Sequence, residues 1–483
     1  MVWARSAATV SPTCPGRRGE SSPVAAGPLT SPPIGRIASF KGFLAVLSLL
    51  LAVTVWVVGL MDSLSRPSVA PALSLQQQEM ALLAGPALPE PVRPLLVGAD
   101  PAQGLLESLQ EIPLDRLDDR QRLLLAALET DAEQQRRLLA APLGGAAWNP
   151  LQRALAEDSD RTSLSAAERR LLEVAPADPL LRQVSCLALG GTAQECQQPA
   201  VARSTARRLV LAELLPLLAL LLGVGLLLRH LWLLWRGDLP RWPRLQGLPL
   251  SLIDMVLLVA GGFVVLGEVL LPLVVSPFTS WITRDLRGPL SQAAAVLVGY
   301  SALALPPLLI IKQQLGGLDR REAPEGGWLQ WRLRPVGPGL LQGGRAWLMV
   351  MPPVAFTGWL MGRLLGDQGG SNPLLELVLR SRDGWALALL ATTAVLLAPL
   401  FEEMVFRGVL LPVLGRSIGR GWSVFLSALI FAVAHLSIGE LPPLLVLGLG
   451  LGLLRLSSGR LFPCVVMHAF WNGATFLNLI LLA

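Results

Sequence analysis

"WALALLATTAVLLAPLFEEMVFRGVL", residues 385–410, is an apolar run of membrane-spanning length that carries two adjacent glutamates and an arginine with it. Near the centre of a membrane helix each such charge costs about 2.5–3.5 kcal/mol on insertion scales, so charges there are rare and usually mark a site. On a helix, residues four apart share a face, while adjacent residues diverge by about 100°. Glu403 and Arg407 can therefore pair, whereas Glu402 points elsewhere and has no partner on its own helix. The spacing assigns Glu402 to chemistry, as a general base, and Glu403 with Arg407 to structural support.

The whole chain supports a membrane setting. Its 483 residues are 52% hydrophobic and only 15% charged, where a soluble domain averages about 25% charged. The fold class read from this is an all-α polytopic membrane protein. It should have about nine transmembrane helices, with an all-helical extramembrane insert after the first. Residues 1–41, rich in Ser, Pro, Gly and Arg, read as a disordered or targeting tail. Residues 42–61 form the first transmembrane helix, around "FLAVLSLLLAVTVWVVGLM". Basic residues before it, Arg36 and Lys41 among them, predict an N-terminus on the cytoplasmic side.

Residues 62–208 then form an extracytoplasmic domain, with apolar residues at helical spacing in "DDRQRLLLAALETDAEQQRRLLAAP" and "SLSAAERRLLEVAPADPLLRQ". Ser165 and Glu168 make a capping-box pattern there. Cys186 and Cys196 flank a Gly-Gly turn and would close a small disulfide loop in an oxidising compartment, or stay as two thiols. Residues 209–345 hold membrane helices and cytoplasmic loops, and 346–483 the remaining membrane core. The net charge of +6 rests almost wholly on arginine, Lys41 and Lys312 being the two lysines. The arginines are dispersed and mostly flank apolar runs, which argues against a nucleic-acid partner.

Of three histidines, His230 reads as interfacial, while His435 ("FAVAH", 431–435) and His468 ("HAFWN", 468–472) lie in late apolar spans. Asn472 follows His468 by one helical turn, and Phe431 precedes His435 by one. With a rise of about 1.5 Å per residue, Glu402, His435 and His468 fall within roughly 8 Å of their helix midpoints. Taken singly, each such residue reads as interhelical glue. Together, a carboxylate, two imidazoles and an amide at similar depth suit attack of water on a carbonyl. Glu402 would take the proton, and Asn472 with one histidine would stabilise the oxyanion. In the alternative, His435 and His468 hold a divalent metal that activates the water.

The three motifs, "EEMVFR" (Glu402, Glu403, Arg407), "FAVAH" (Phe431, His435) and "HAFWN" (His468, Asn472), resemble in order the EExxxR, FxxxH and HxxxN patterns of the CPBP family. These are the CAAX-protease and bacteriocin-processing, or Abi-type, intramembrane proteases. The resemblance covers about residues 385–482 and leaves 1–208 outside. It implies an all-helical membrane endopeptidase in which the first glutamate activates water and His435, His468 and Asn472 line the site. Its partners would be a membrane-embedded or lipid-anchored protein substrate, prenylated in the eukaryotic case, and the bilayer. Zinc as a cofactor is left open by the family. Two rival functions share the same residues: a non-catalytic immunity or scaffold protein, and a transporter with a proton relay. Unpaired Glu402 speaks against the first, and the lack of an inverted repeat against the second.

Overall fold

The computed structural model describes residues 34–483 apart from 67, 141, 145–147, 157–169, 171–177, 287 and 367–368. The Ser165–Glu168 capping pattern and most of the 1–41 tail lie outside the described residues. Among those described, the ordered elements are all helical. Eight helices are long and apolar enough to cross a membrane: Phe40–Ser63, Pro199–Arg236, Leu252–Thr283, Gly288–Gly316, Val336–Leu365, Gly384–Ile418, Leu441–Ser458 and Phe462–Leu482. The ninth expected span, after Trp422, is the shorter helix Arg420–Val433. Its 14 residues reach about 21 Å, short of the hydrocarbon thickness of about 30 Å. It forms a hairpin with Leu441–Ser458. Gly448 and Gly452 allow the close approach: an added Cβ would stand 3.0 Å from Ala428 Cα and 2.9 Å from Val424 Cγ1 respectively.

The helices run back and forth between two faces. Near one face, Arg455 donates to Gln330 Oε1 at 2.9 Å, Gln330 donates to the Gln246 carbonyl at 3.1 Å, and Arg460 donates to the Arg332 carbonyl at 2.6 Å. This is the arginine face. At the other, the insert face, Met80 and Ala84 pack with Leu209, Ala212 and Leu482. The second span was expected from residue 209, but its helix starts at Pro199 and runs for 38 residues. That extension accommodates Arg203, Arg207 and Arg208, which sit awkwardly beside an outer membrane face in the sequence. Arg208 donates to the Leu481 carbonyl at 3.0 Å, supplying one of the partners that the last turn of a helix lacks. Pro306–Pro307 and Pro352–Pro353 lie inside long helices, while Pro442–Pro443 opens one.

In the insert, short helices close around Leu105, Leu109, Leu123–Leu125 and Leu181. Asp100, Asp118 and Asp178 cap three of them, each accepting from backbone N–H groups of the first turn. Cys186 and Cys196 are joined in a disulfide. It ties the helix Pro179–Ala188 to the loop that leads into the second span.

Candidate active site

The Gly384–Ile418 helix departs from α geometry in two places, Thr392–Leu397 and Met404–Leu410, where it widens into π turns. Each is followed closely by a proline, Pro399 and Pro412, whose missing N–H breaks the α ladder. Such widened turns collect at functional sites, and these two bracket Glu402 and Glu403.

The pair expected at four-residue spacing is present. Arg407 Nη1 donates to Glu403 Oε1 at 2.8 Å, with both residues wholly excluded from solvent. Arg407 Nη2 also donates to the Gly448 carbonyl at 3.1 Å, and its guanidinium lies 4.5 Å from the centre of the Phe431 ring. Phe431 is the hub of the motifs: the His435 and His468 rings stand edge-on to it at 4.9 and 5.7 Å. His468 Nδ1 is 3.0 Å from the same Glu403 oxygen. His435 Nδ1 is 2.8 Å from the Phe431 carbonyl. Because both partners are acceptors, we assign the proton to Nδ1 in each ring, which leaves each Nε2 as an acceptor in the neutral form.

Glu402 has a partner that its own helix does not show. Tyr300 Oη, on the Gly288–Gly316 helix, donates to Glu402 Oε1 at 2.9 Å. Glu402 Oε2 is buried without a hydrogen-bond partner and stands 3.8 Å from His468 Nε2. Asn472 donates from Nδ2 to the carbonyl of Ala394, inside the first widened turn, at 2.8 Å. Glu402, His435, His468, Asn472 and Tyr300 all line one cavity of about 790 Å³, whose remaining wall is mainly apolar. Phe431, Glu403 and Arg407 lie behind them.

Three contributors escape a reading of local spacing. Tyr300 is one, although it is the chain's single tyrosine and sits in an apolar span. Arg455 is another. Its place near a loop suggested a surface charge, but it is wholly buried and donates from Nε to the Arg407 carbonyl at 3.2 Å. The third is the turn after His435, where Leu436 takes φ 51°. Arg66 Nη2 donates to the Leu436 carbonyl at 2.8 Å, Ser63 accepts from the Ile438 N–H at 3.0 Å, and Ser437 donates to the Gly369 and Gly370 carbonyls at 2.9 Å. The end of the first span and the 369–370 loop thus clamp the backbone that carries His435.

Comparison with known proteins matches residues 384–474 to the family model described as type II CAAX prenyl endopeptidase Rce1-like. Residues 70–207 match a domain of unknown function, DUF8675. The chain is 40% identical over 76 residues to the CAAX prenyl protease 2 of Rattus norvegicus, a stretch that is 16% of this chain. It spans 24% of the length of that relative. No solved structure matches. The likeness to CPBP intramembrane proteases that the three motifs carry therefore holds for the C-terminal core, the part of the chain that builds the cavity.

Proposed function

We propose that this chain, with its C-terminal core of the CPBP protease family, is an intramembrane endopeptidase. It would hydrolyse a peptide bond of a membrane-embedded or lipid-anchored protein by means of a water activated at Glu402. The observation that carries this reading is the asymmetry of Glu402. One carboxylate oxygen is anchored by Tyr300, and the other faces an apolar cavity without a partner. A base held in this way accepts a proton without reorganising.

In the proposed reaction, a water between Glu402 Oε2 and His468 Nε2 attacks the carbonyl carbon and gives one proton to Glu402. His468 Nε2 accepts from the water's second hydrogen and orients its lone pair, while Glu403 holds the imidazole through Nδ1. Asn472 has one Nδ2 hydrogen left after the bond to Ala394, and this faces the developing oxyanion. Both histidines present acceptors to the cavity in the neutral form, so the oxyanion role falls on the amide. Glu402 then returns its proton to the leaving amine as the C–N bond breaks. Among the described residues no group of three or more His, Cys, Asp or Glu side chains has the spacing to hold a metal ion. The proposed steps run through the chain's own groups, and a metal held by His435 and His468 stays the alternative.

The test is cleavage of lipid-tailed and plain peptides by the purified protein in detergent, with and without a chelator. Glu402→Gln should lower turnover by on the order of 10³-fold with unfolding temperature unchanged, and His468→Ala should also abolish cleavage. No cleavage by a folded wild type would move the protein to the scaffold reading.

A further inference from the structure

The proposed hydrolysis draws on Glu402, His468 and Asn472 and leaves two titratable groups of the same cavity idle, His435 and Glu440. Glu440 stands at the start of the Leu441–Ser458 helix, where a carboxylate is favoured beside the free N–H groups of the first turn. Its side chain makes no such capping bond. It turns instead to the 371–372 stretch, where the Asn372 N–H approaches Oε1 at 3.4 Å, longer than an ordinary hydrogen bond. The backbone beneath is fixed. Ser437 Oγ accepts from the Glu440 N–H at 3.1 Å and donates to the Gly369 and Gly370 carbonyls. The Gly439 N–H donates to the Gly369 carbonyl at 3.2 Å. Gly369 comes so close that an added Cβ would stand 2.9 Å from Gly439 N. One tied-down turn thus presents both His435 and Glu440 to the cavity.

The polar groups around the cavity show it mostly acceptors. Thr279, Thr393 and Thr475 spend their hydroxyl protons on carbonyls of their own helices, and Tyr300 donates to Glu402. His435 gives its Nδ1 proton to the Phe431 carbonyl, so its Nε2 is an acceptor in the neutral ring. Among the described residues the cavity wall holds two carboxylates, Glu402 and Glu440, and no lysine or arginine. Burial holds the Glu440 carboxyl above the ordinary carboxylate value, against the opposing pull of His435, the Asn372 N–H, the Ser371 hydroxyl and Arg66. Arg66 itself is engaged elsewhere, with Asp62 at 3.2 Å and the Leu436 carbonyl at 2.8 Å. A group lodged against Glu440 and His435 must therefore donate hydrogen bonds, and a positive charge is favoured there over a negative one.

Resting on the peptidase reading above, we infer that Glu440, with His435 near it, forms a subsite for a positively charged group of the substrate. That group is a lysine or arginine side chain flanking the bond to be cleaved. Its ammonium or guanidinium meets the Glu440 carboxylate and His435 Nε2 as acceptors, while the apolar wall takes the neighbouring side chains. An acidic residue at the same place meets carboxylates and no cation, and is rejected. Glu440 selects the segment on which Glu402 acts and takes no part in the chemistry.

The test uses the full chain in detergent and lipid-tailed peptides identical but for one flanking residue, which is lysine, ε-acetyl-lysine, glutamine or glutamate. At the matching position, kcat/KM should be about tenfold higher for lysine than for glutamine or acetyl-lysine. The difference should lie in KM, and glutamate should be the poorest. Glu440→Gln should bring the lysine-to-glutamine ratio down to about unity, and Glu440→Lys should favour the glutamate peptide over the lysine peptide. A wild type that treats the four alike, or a lysine preference that survives Glu440→Gln, would overturn the inference. A preference that vanishes with a chelator would overturn it too, in favour of a metal at this place. Should the Glu440 variants fail to fold, lysine against acetyl-lysine on the wild type still decides. Binding separates the subsite from the chemistry. On the Glu402→Gln chain, fluorescence anisotropy should find the lysine peptide bound about tenfold tighter than the glutamine peptide. If the wild type cleaves none of the peptides and that difference remains, the peptidase reading falls and the cation subsite stands. If the difference is absent as well, both fall.

Discussion

Two arginine–carboxylate clusters hold this molecule together, one in the insert and one in the membrane core, and they differ in what is left unpaired. In the insert, Arg120 donates to both oxygens of Glu79 at 2.6 and 2.8 Å and to Asp178 at 2.6 Å. Asp178 also caps the helix that begins at Pro179. The negative surroundings hold the Arg120 guanidinium above its ordinary value against the opposing effect of burial. Each charged group has its partners, and the cluster joins three elements with nothing left over. In the core, Glu403 Oε1 is shared by Arg407 and His468, while Glu403 Oε2, Arg407 Nε and Glu402 Oε2 are buried without partners. Buried polar atoms are normally satisfied, and exceptions call for a reason. The insert cluster builds structure, whereas the core cluster withholds bonding capacity and faces a cavity.

The sharpest way to break this contrast is at Arg407. Arg407→Leu leaves Glu403 as an uncompensated charge with no solvent contact and should cost about 3–5 kcal/mol of stability. It should also abolish cleavage, because His468 loses its fixed anchor. Unfolding in detergent and peptide turnover measure the two effects. The double variant Glu403→Gln with Arg407→Leu should recover much of the stability and none of the activity. Recovery of both would make the pair a packing device alone.

Arg120→Ala should cost about 2 kcal/mol, since Glu79 and Asp178 lose a shared donor that is partly open to water. Peptide turnover in detergent should stay within twofold of wild type. A large fall in turnover would show that the insert acts on the chemistry and would erase the division between the clusters.

Tyr300→Phe removes one hydroxyl from the core. It should lower kcat by about tenfold, with KM and unfolding temperature little changed, because the base loses its orientation and not its binding wall. An unchanged kcat would mean that Glu402 is positioned by its helix alone.

Tyr300 also shows where sequence reading stops. Glu403 with Arg407, Phe431 with His435 and His468 with Asn472 are each one helical turn apart, so the helical period alone puts each pair on a common face. The depth of three spans brings those faces together. Glu402 and Tyr300 are 102 residues apart, and Arg455 and Gln330 are 125 apart. Nothing in local spacing encodes such a pairing, which depends on helix packing. The single tyrosine in an apolar span and an arginine among the glycines of "GLGLGLLRL" were the available signals. The spans were legible from hydropathy, and the second began earlier than hydropathy suggests because its first turns are amphipathic and lie on the insert.

The smallest effect belongs to the disulfide turn of the insert, the region furthest in character from the core. Glu195 accepts from the Thr192 N–H at 2.8 Å and from its hydroxyl at 2.9 Å, and these bonds hold its carboxyl below the ordinary carboxylate value of about 4.3. A carboxyl depressed in the folded state contributes stability above the unfolded value, and that contribution is lost as pH falls through the folded value. At pH 7, Glu195→Gln should therefore speed amide exchange in the 190–197 turn by a factor of only about two, with turnover unaffected. The difference between variant and wild type should close as the pH falls below about 4. A difference that persists in acid would assign the effect to the shape of the side chain and not to its charge. Either way the turn stays confined to the insert, since the bonds of Glu195 run to Thr192 and not toward the membrane core.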